Sequence, residues 1–340
     1  MAGITHLEEF QQPALRGLVD ETVSETQPGF ADRFLPDENT YDMNFAYDII
    51  KSNKYISPMI GFGAEPPVID RNAVANMHGE IAKMGLKSIV TEEELLKLHQ
   101  ARSAGERSQM IENLSVDGIE LVQAIQRRVF VIKAEALTKG KFDYKKHGVE
   151  VTVPFHIPET NKVALTGDNT WANEDHDVIG DLLNWVQAYE DENGEAPSTI
   201  YMSREVQALL LKNNVIVTEA VGHGSSGRNR VSVDELQSVL GGYGLPPVEI
   251  VTDRKVTSKS PYTGEIETIE FFPVNRVVML SEGIGNYLYG PTVENEFEPG
   301  IILEAKDKDE PIQSILRAVA AGFPVIEQPG RIFHADVYTP

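Results

Sequence analysis

The chain has 340 residues, 41% hydrophobic and 24% charged, a globular composition with room for one large domain or two modest ones. Its formal net charge of -22 argues against a surface that grips nucleic-acid phosphates directly, although enclosure of nucleic acid stays open. Cysteine is absent, which excludes disulfides, thiolate metal sites and cysteine nucleophiles and fits folding in a reducing cytoplasm.

The opening MAGITHLEEFQQPALRG lacks the basic-then-apolar order of a signal peptide, and no run reaches the roughly 18 apolar residues of a membrane span, so a soluble, unexported chain is expected. Residues 1–36 mix a short amphipathic pattern (Leu7, Phe10, Leu15, Leu18) with Pro13, Pro28, Gly29 and Pro36. This is the signature of an extended N-terminal arm. From Tyr41 to Val90 strand-like pieces flank YISPMIGFGAEPPVID, and GEIAKMGLKSIV returns. A long two-stranded excursion with a Pro-rich tip is expected, and such a ribbon is marginal in isolation. The apolar tip residues Ile60, Phe62, Pro66, Pro67 and Val68 are either a disordered loop or a docking surface for a neighbour. Docking is favoured.

Thr91 and Glu94 form a capping box, and Glu92, Glu93 and Glu94 suit the positive end of a helix dipole. The spacing predicts one long helix from Thr91 to Lys139, with a possible interruption at Ala104-Gly105. Ile111, Leu114, Gly118, Val122, Ile125, Val129, Ile132 and Ala136 recur at steps of three and four and mark one buried stripe. Gln123, Gln126, Arg127, Arg128 and Lys133 are assigned to the other faces. A coiled coil is the rival, but the stripe lacks the charged flanks of a zipper, and packing against the chain's own sheet is expected. An arm, a ribbon and a long helix expose more surface than they cover. The subunit is expected to need partners, most simply copies of itself.

Gly140 stops the helix, and Phe142–Tyr144 with Val149–Phe155 read as a hairpin. Here LTKGKFDY leading into GVEVTVPF resembles the junction of long helix and sheet in the major capsid protein E family of lambda-type tailed bacteriophages. Further landmarks follow in the same order: Asn169-Thr170-Trp171, Asp181 with Trp185, Leu240-Gly241, Tyr243-Gly244 with Pro247, NRVVML, Tyr289-Gly290 with Thr292 and Glu294, and PVIEQPGRIFHADV.

The resemblance implies an α+β chain with the Hong Kong 97-type capsid fold. Residues 1–36 would be the N-terminal arm, 37–90 the E-loop, 91–169 plus 311–340 a peripheral domain with the spine helix, and 170–310 an α/β axial domain. In that axial domain the pattern predicts helices over Asp175–Glu190, Glu205–Lys212 and Ser232–Leu240, and strands at Thr199–Met202, Val248–Val251 and Arg276–Leu280. Pro324–Val337 would return as a strand to the peripheral domain. The implied function is a major head protein that self-assembles into hexamers and pentamers of an icosahedral shell around double-stranded DNA, bound without sequence specificity. Portal, scaffold and decoration proteins are the implied partners; the place is the virion, assembled in the host cytoplasm, with no membrane role. Candidate contacts between subunits are the E-loop tip, Leu7 and Phe10 of the arm, and Gly222, Gly224 and Gly227 of an axial loop. An encapsulin-like compartment shell is the first alternative.

The second alternative is a soluble nucleotide-binding α/β enzyme. Gly222-His223-Gly224-Ser225-Ser226-Gly227 satisfies GxGxxG, and Val215–Val217 is a candidate preceding strand. Arg228–Val231 nevertheless intervene before any helix, which favours a plain glycine loop. Glu174, Asp175, Asp177 and Asp181 are a candidate hard-cation or acid/base group, but their place at a helix start suits capping, and no His or Lys partner is evident nearby. Glu304, Asp307, Asp309 and Glu310, interleaved with Lys306 and Lys308, read as a solvated turn. Trp171 and Trp185 read as core or interface anchors. No catalytic residue, cofactor or metal is expected.

Overall fold

The computed structural model describes residues 3–42, 44–50, 73–80, 82–101, 103–146, 149–222 and 227–340. The chain divides into two compact units, neither contiguous in sequence. One comprises Met1–Ala46, His78–Lys133 and Asn286–Val325; the other comprises Tyr47–Met77, Ala134–Gly285 and Ile326–Pro340. This division differs from the expected segmentation, most clearly at the C-terminus.

In the first unit the Ile312–Ile326 strand is the organiser of a five-stranded sheet, with neighbours Ile302–Asp309, Gly285–Gly290 and Ala82–Thr91, and with Asp37–Asn39 added in parallel beyond Gly285–Gly290. Residues 304–309, expected to belong to a solvated turn, are part of the strand Ile302–Asp309, which pairs in antiparallel register with Ile312–Val319 and buries Ile302, Leu303 and Glu304. Ala82–Thr91 alternates between half-buried and exposed positions along most of its length, as one solvent-facing surface requires. Helix Gln12–Glu25 lies against Ile302–Asp309 and buries Leu15, Val19 and Thr22 at steps of four and three.

The Thr91 cap forms as expected: the Thr91 amide donates to the Glu94 carboxylate at 2.7 Å, and the hydroxyl accepts from the Glu94 amide. Thr91→Ala is expected to destabilise the subunit by about 1 kcal/mol, measurable by urea unfolding. An unchanged midpoint would show the cap to be idle. The helix that starts there is short, Glu92–His99, and a second one runs Ala104–Lys139, so the single expected helix is two. Gln100 leaves helical geometry at φ -97, ψ 11, and Ser103 restarts the run with its hydroxyl accepting from the Glu106 amide at 3.2 Å.

Gly118, Val122, Ile125, Val129, Ile132 and Ala136 are buried along the long helix, while Ile111 and Leu114 are half-buried. From Val131 to Thr138 every residue is buried, whereas Ser103–Gln109 are exposed throughout. Lys133, assigned above to an outer face, is buried too. Two carboxylates described below make that position tolerable.

The second unit holds a mixed five-stranded sheet in the order Lys162–Ala164, Ile332–Asp336, Arg276–Leu280, Thr199–Met202, Val248–Ile250. The outer pairings are parallel and the two inner ones antiparallel. Helices Val178–Asn193, Arg204–Leu210 and Val233–Gly242 contribute Leu182, Trp185, Val206 and Leu236 to one core with Ile200, Met202, Val277, Met279 and Phe333. Ser232 and Glu235 form a reciprocal cap, as the spacing predicts.

Pro324–Val337 is not one returning strand. Residues up to Ile326 finish the first unit's strand, the chain turns through Pro329–Arg331, and Ile332–Asp336 inserts between Lys162–Ala164 and Arg276–Leu280. Phe333, Ala335 and Val337 fill the tryptophan-containing core, and Asp336 accepts twice from Arg276, at 2.7 and 2.8 Å. His334 points the other way, with Nε2 2.7 Å from the Leu137 carbonyl, and burial pushes its pKa down to about 3. The imidazole is therefore neutral and donates to that carbonyl.

Val215–Val217, a candidate strand above, lies in helix Asn214–Val221. The Asn213 carboxamide oxygen caps it, accepting from the Val215 and Ile216 amides at 3.0 and 3.3 Å. The expected hairpin is present as Lys141–Lys146 with Val149–Pro154, and a second, unforeseen one pairs Lys255–Lys259 with Ile266–Glu270. Asn44–Ile50 and Ala73–Glu80 form a two-stranded sheet of their own.

Candidate assembly surfaces

The tip residues Ile60, Phe62, Pro66, Pro67 and Val68 lie outside the described residues, as does Gly224. Leu7 and Phe10 are 7% and 3% exposed and are covered by the chain's own first unit. The arm is held there at its start as well, because the Ile4 amide donates to Asp307 and to the Ser314 hydroxyl at 3.2 and 3.1 Å.

Gly222 closes helix Asn214–Val221 at φ +84, its amide donating to the Thr218 carbonyl at 2.8 Å, and Gly227 has φ +61. No atom lies within 4 Å of where a Cβ would stand at either glycine, so the backbone angle, not close approach, is what calls for glycine. The loop thus leaves the carbonyl end of a helix. That end repels phosphate, and the dinucleotide interpretation of GxGxxG fails on it. Beyond the loop, Arg228 grips Glu235 through two bonds of 3.0 and 2.8 Å and holds the carboxylate down to about 2.

The acidic group at the head of helix Val178–Asn193 is fully engaged. Asp177 accepts from the Gly180 amide at 2.9 Å, and one oxygen of Asp181 accepts from Trp171 Nε1 at 2.9 Å and meets His176 Nε2 at 2.7 Å. Glu174 pairs with Lys212 at 3.0 Å, and Asp175 accepts from Asn214 at 2.6 Å. His176 and Lys212 are the partners that the linear spacing did not reveal, and with them the acids form a clasp rather than an open cation site. Trp171 and Trp185 stack at 5.6 Å and 13°, and Trp185 meets Phe333 at 6.0 Å, so both are core anchors. Among the described residues no group of three or more His, Asp or Glu is arranged to hold a metal ion.

Sequence inspection missed three features. The first is Lys133, 1% exposed, whose ammonium lies 2.6 Å from Asp32, 2.7 Å from Asp37 and 5.5 Å above the Tyr287 ring. Its signal was present, since position 133 follows Val129 by four and so flanks the apolar stripe. The second is an ion lattice across the solvent face of the first unit's sheet. There Lys83 pairs with Glu294 at 2.7 Å, Arg317 donates to Glu304 at 2.6 Å, and Lys306 joins Glu304 at 2.9 Å. The third is a set of displayed apolar side chains, Tyr41, Val293 and Phe297 in the first unit and Tyr262 and Ile266 in the second, each more than two-thirds exposed or close to it. Phe297 stands at φ 68, a costly angle for a side-chain-bearing residue.

The family model described as phage major capsid protein E matches residues 20–311. Two solved structures share the fold. A phage-related protein from Bordetella bronchiseptica RB50 superposes with a TM-score of 0.54 at 12% identity, covering 94% of this chain and 96% of its own. A structure described as a capsid protein of an E. coli CFT073 prophage gives 0.60 at 15% identity, covering 96% and 98%. No curated protein matches the sequence significantly. No helix among the described residues is long and apolar enough to cross a membrane. With its family model spanning most of its length and its fold shared with those two proteins, the chain belongs to the phage major capsid protein E family.

Proposed function

We infer that this chain is a major head protein that self-assembles into hexamers and pentamers of an icosahedral shell enclosing double-stranded DNA. The observation that carries this, beyond family membership, is the ribbon of Asn44–Ile50 and Ala73–Glu80, which pairs with no other described strand. A two-stranded ribbon is marginal in water, and a neighbouring subunit is the simplest source of the burial it lacks. In Hong Kong 97-type terms the ribbon and its tip are the E-loop, lying across a neighbour. Residues 1–36 are the arm, Ala104–Lys139 is the spine helix, and the Gly222–Gly227 loop lies near a capsomer axis. Leu7 and Phe10 then fix the arm to its own subunit while the arm's exposed surface meets the next one. Many weak contacts act together through multivalency.

The net charge of -22 suits a wall along which DNA slides without adhering. Portal, scaffold and decoration proteins are the partners this role calls for, and the virion is its place. Negative-stain microscopy of the purified protein is expected to reveal rings, shells or tubes; a stable compact monomer at all concentrations would overturn the proposal. Phe62→Asp is expected to leave the subunit folded by circular dichroism while abolishing most assembly. Normal shells from that variant would remove the tip from the interface.

A further inference from the structure

Three strands of the first unit present one flat face to solvent, and their register fixes what stands beside what. Across Ala82–Thr91, Ile312–Ile326 and Ile302–Asp309, one row reads Thr91, Gln313, Lys308; the next Ile89, Ile315, Lys306; the third Lys87, Arg317, Glu304. Directly opposed residues on neighbouring strands point to the same side, so these nine side chains share a surface. Lys87, Lys306 and Lys308 are exposed, Arg317 is half-buried, and Ile89 is 42% exposed beside the half-buried Ile315. The patch therefore has an apolar centre edged by four cations, against the carboxylates of Glu304 and, beside Arg317, Glu294. That is the reverse of the chain as a whole, whose formal net charge is -22.

Lysines on outer strands commonly serve to prevent edge-to-edge pairing, and Lys83 is already paired with Glu294. Two details go beyond that role. Lys87 stands directly opposite Arg317, whose own charge Glu304 and Glu294 take up, and neither Lys87 nor Lys308 forms an ion pair among the described residues. An apolar centre with a charged rim is also the anatomy of an interface.

We propose that this face is the docking surface for an acidic patch on a second copy of this chain. Charge complementarity selects the occupant: a subunit this acidic presents negative surface in most orientations, and contact with it supplies the carboxylates that Lys87 and Lys308 lack. The inference rests on the shell-forming role proposed above and assigns one of its contacts.

The test is the double variant Lys87→Glu/Lys308→Glu in the full chain. Lys87→Glu sets a carboxylate opposite Arg317, so the fold is kept or strengthened, which an unchanged or raised melting temperature verifies. Sedimentation at about 0.1 M salt, where the screening length is near 10 Å, is expected to give an assembled fraction at least about tenfold below wild type. Wild-type assembly is expected to weaken as salt rises. A folded variant that assembles like wild type overturns the proposal. So does one that assembles normally but no longer retards a double-stranded DNA fragment that wild type retards, an outcome that assigns the face to nucleic acid. If wild type itself stays a single subunit, the shell-forming role fails and this contact falls with it.

Discussion

Lys133→Met is expected to destabilise the unassembled subunit by about 3 kcal/mol, measured as a urea midpoint by circular dichroism. Breaking a buried pair by removing one partner leaves uncompensated charge and typically costs about 3–5 kcal/mol. The low end applies because Asp32 and Asp37 keep 31% and 52% side-chain exposure and so retain some water. Lys133 bridges two separate segments, helix Phe30–Phe34 and strand Asp37–Asn39, and Asp32 also accepts from the Gly29 amide at 2.8 Å. Losing the ammonium therefore loosens the entry of the chain into the sheet as well as stranding charge. Lys133→Met/Asp37→Asn is expected to recover part of the loss, since it removes one stranded carboxylate. A single-variant loss below about 1 kcal/mol would mean that burial of the methylene stem, not the ion triad, holds this position.

Trp171→Ala is expected to cost about 3–5 kcal/mol, the range for deleting a large buried aromatic. Trp171 is 1% exposed, stacks on Trp185, and donates from Nε1 to Asp181 at 2.9 Å. Its backbone amide donates to the Val337 carbonyl at 2.9 Å, a bond that the substitution leaves in place, while the ring bond to Asp181 at the head of helix Val178–Asn193 is lost. Trp171→Phe should keep most of the packing and lose the Asp181 bond, costing about 1–2 kcal/mol. Equal losses in the two variants would assign the effect to the hydrogen bond alone.

Local signals made much of this architecture legible. The Thr91/Glu94 and Ser232/Glu235 caps form as written, and Thr199–Met202 and Arg276–Leu280 occur with the expected bounds. Each depends on residues within a few positions of one another. What escaped depends on distant partners. The burial of Lys133 requires Asp32, 101 positions away, and the strand at 302–309 requires its antiparallel neighbour to reveal which face is wet. Pro324–Val337 reads as one strand and is two, because a hydrophobic run does not say where it turns or which sheets its parts will join. Val215–Val217 is β-branched and read as strand, yet one Asn213 carboxamide outweighed that propensity. The basic sheet face was invisible in the sequence because Lys87 and Lys308 are more than 200 positions apart and meet only through a third strand.

The uneven burial of helix Ala104–Lys139 bears on how the subunit breathes. Amide hydrogens from Val131 to Thr138 lie in a fully enclosed stretch and should exchange only on global opening, while those around Ser103–Gln109 need only a turn to unwind in solvent. One continuous element thus spans slow and fast exchange. Its exposed end can be rewound at small free-energy cost during any change of shape, while the enclosed end stays as the fixed reference from which that change is made.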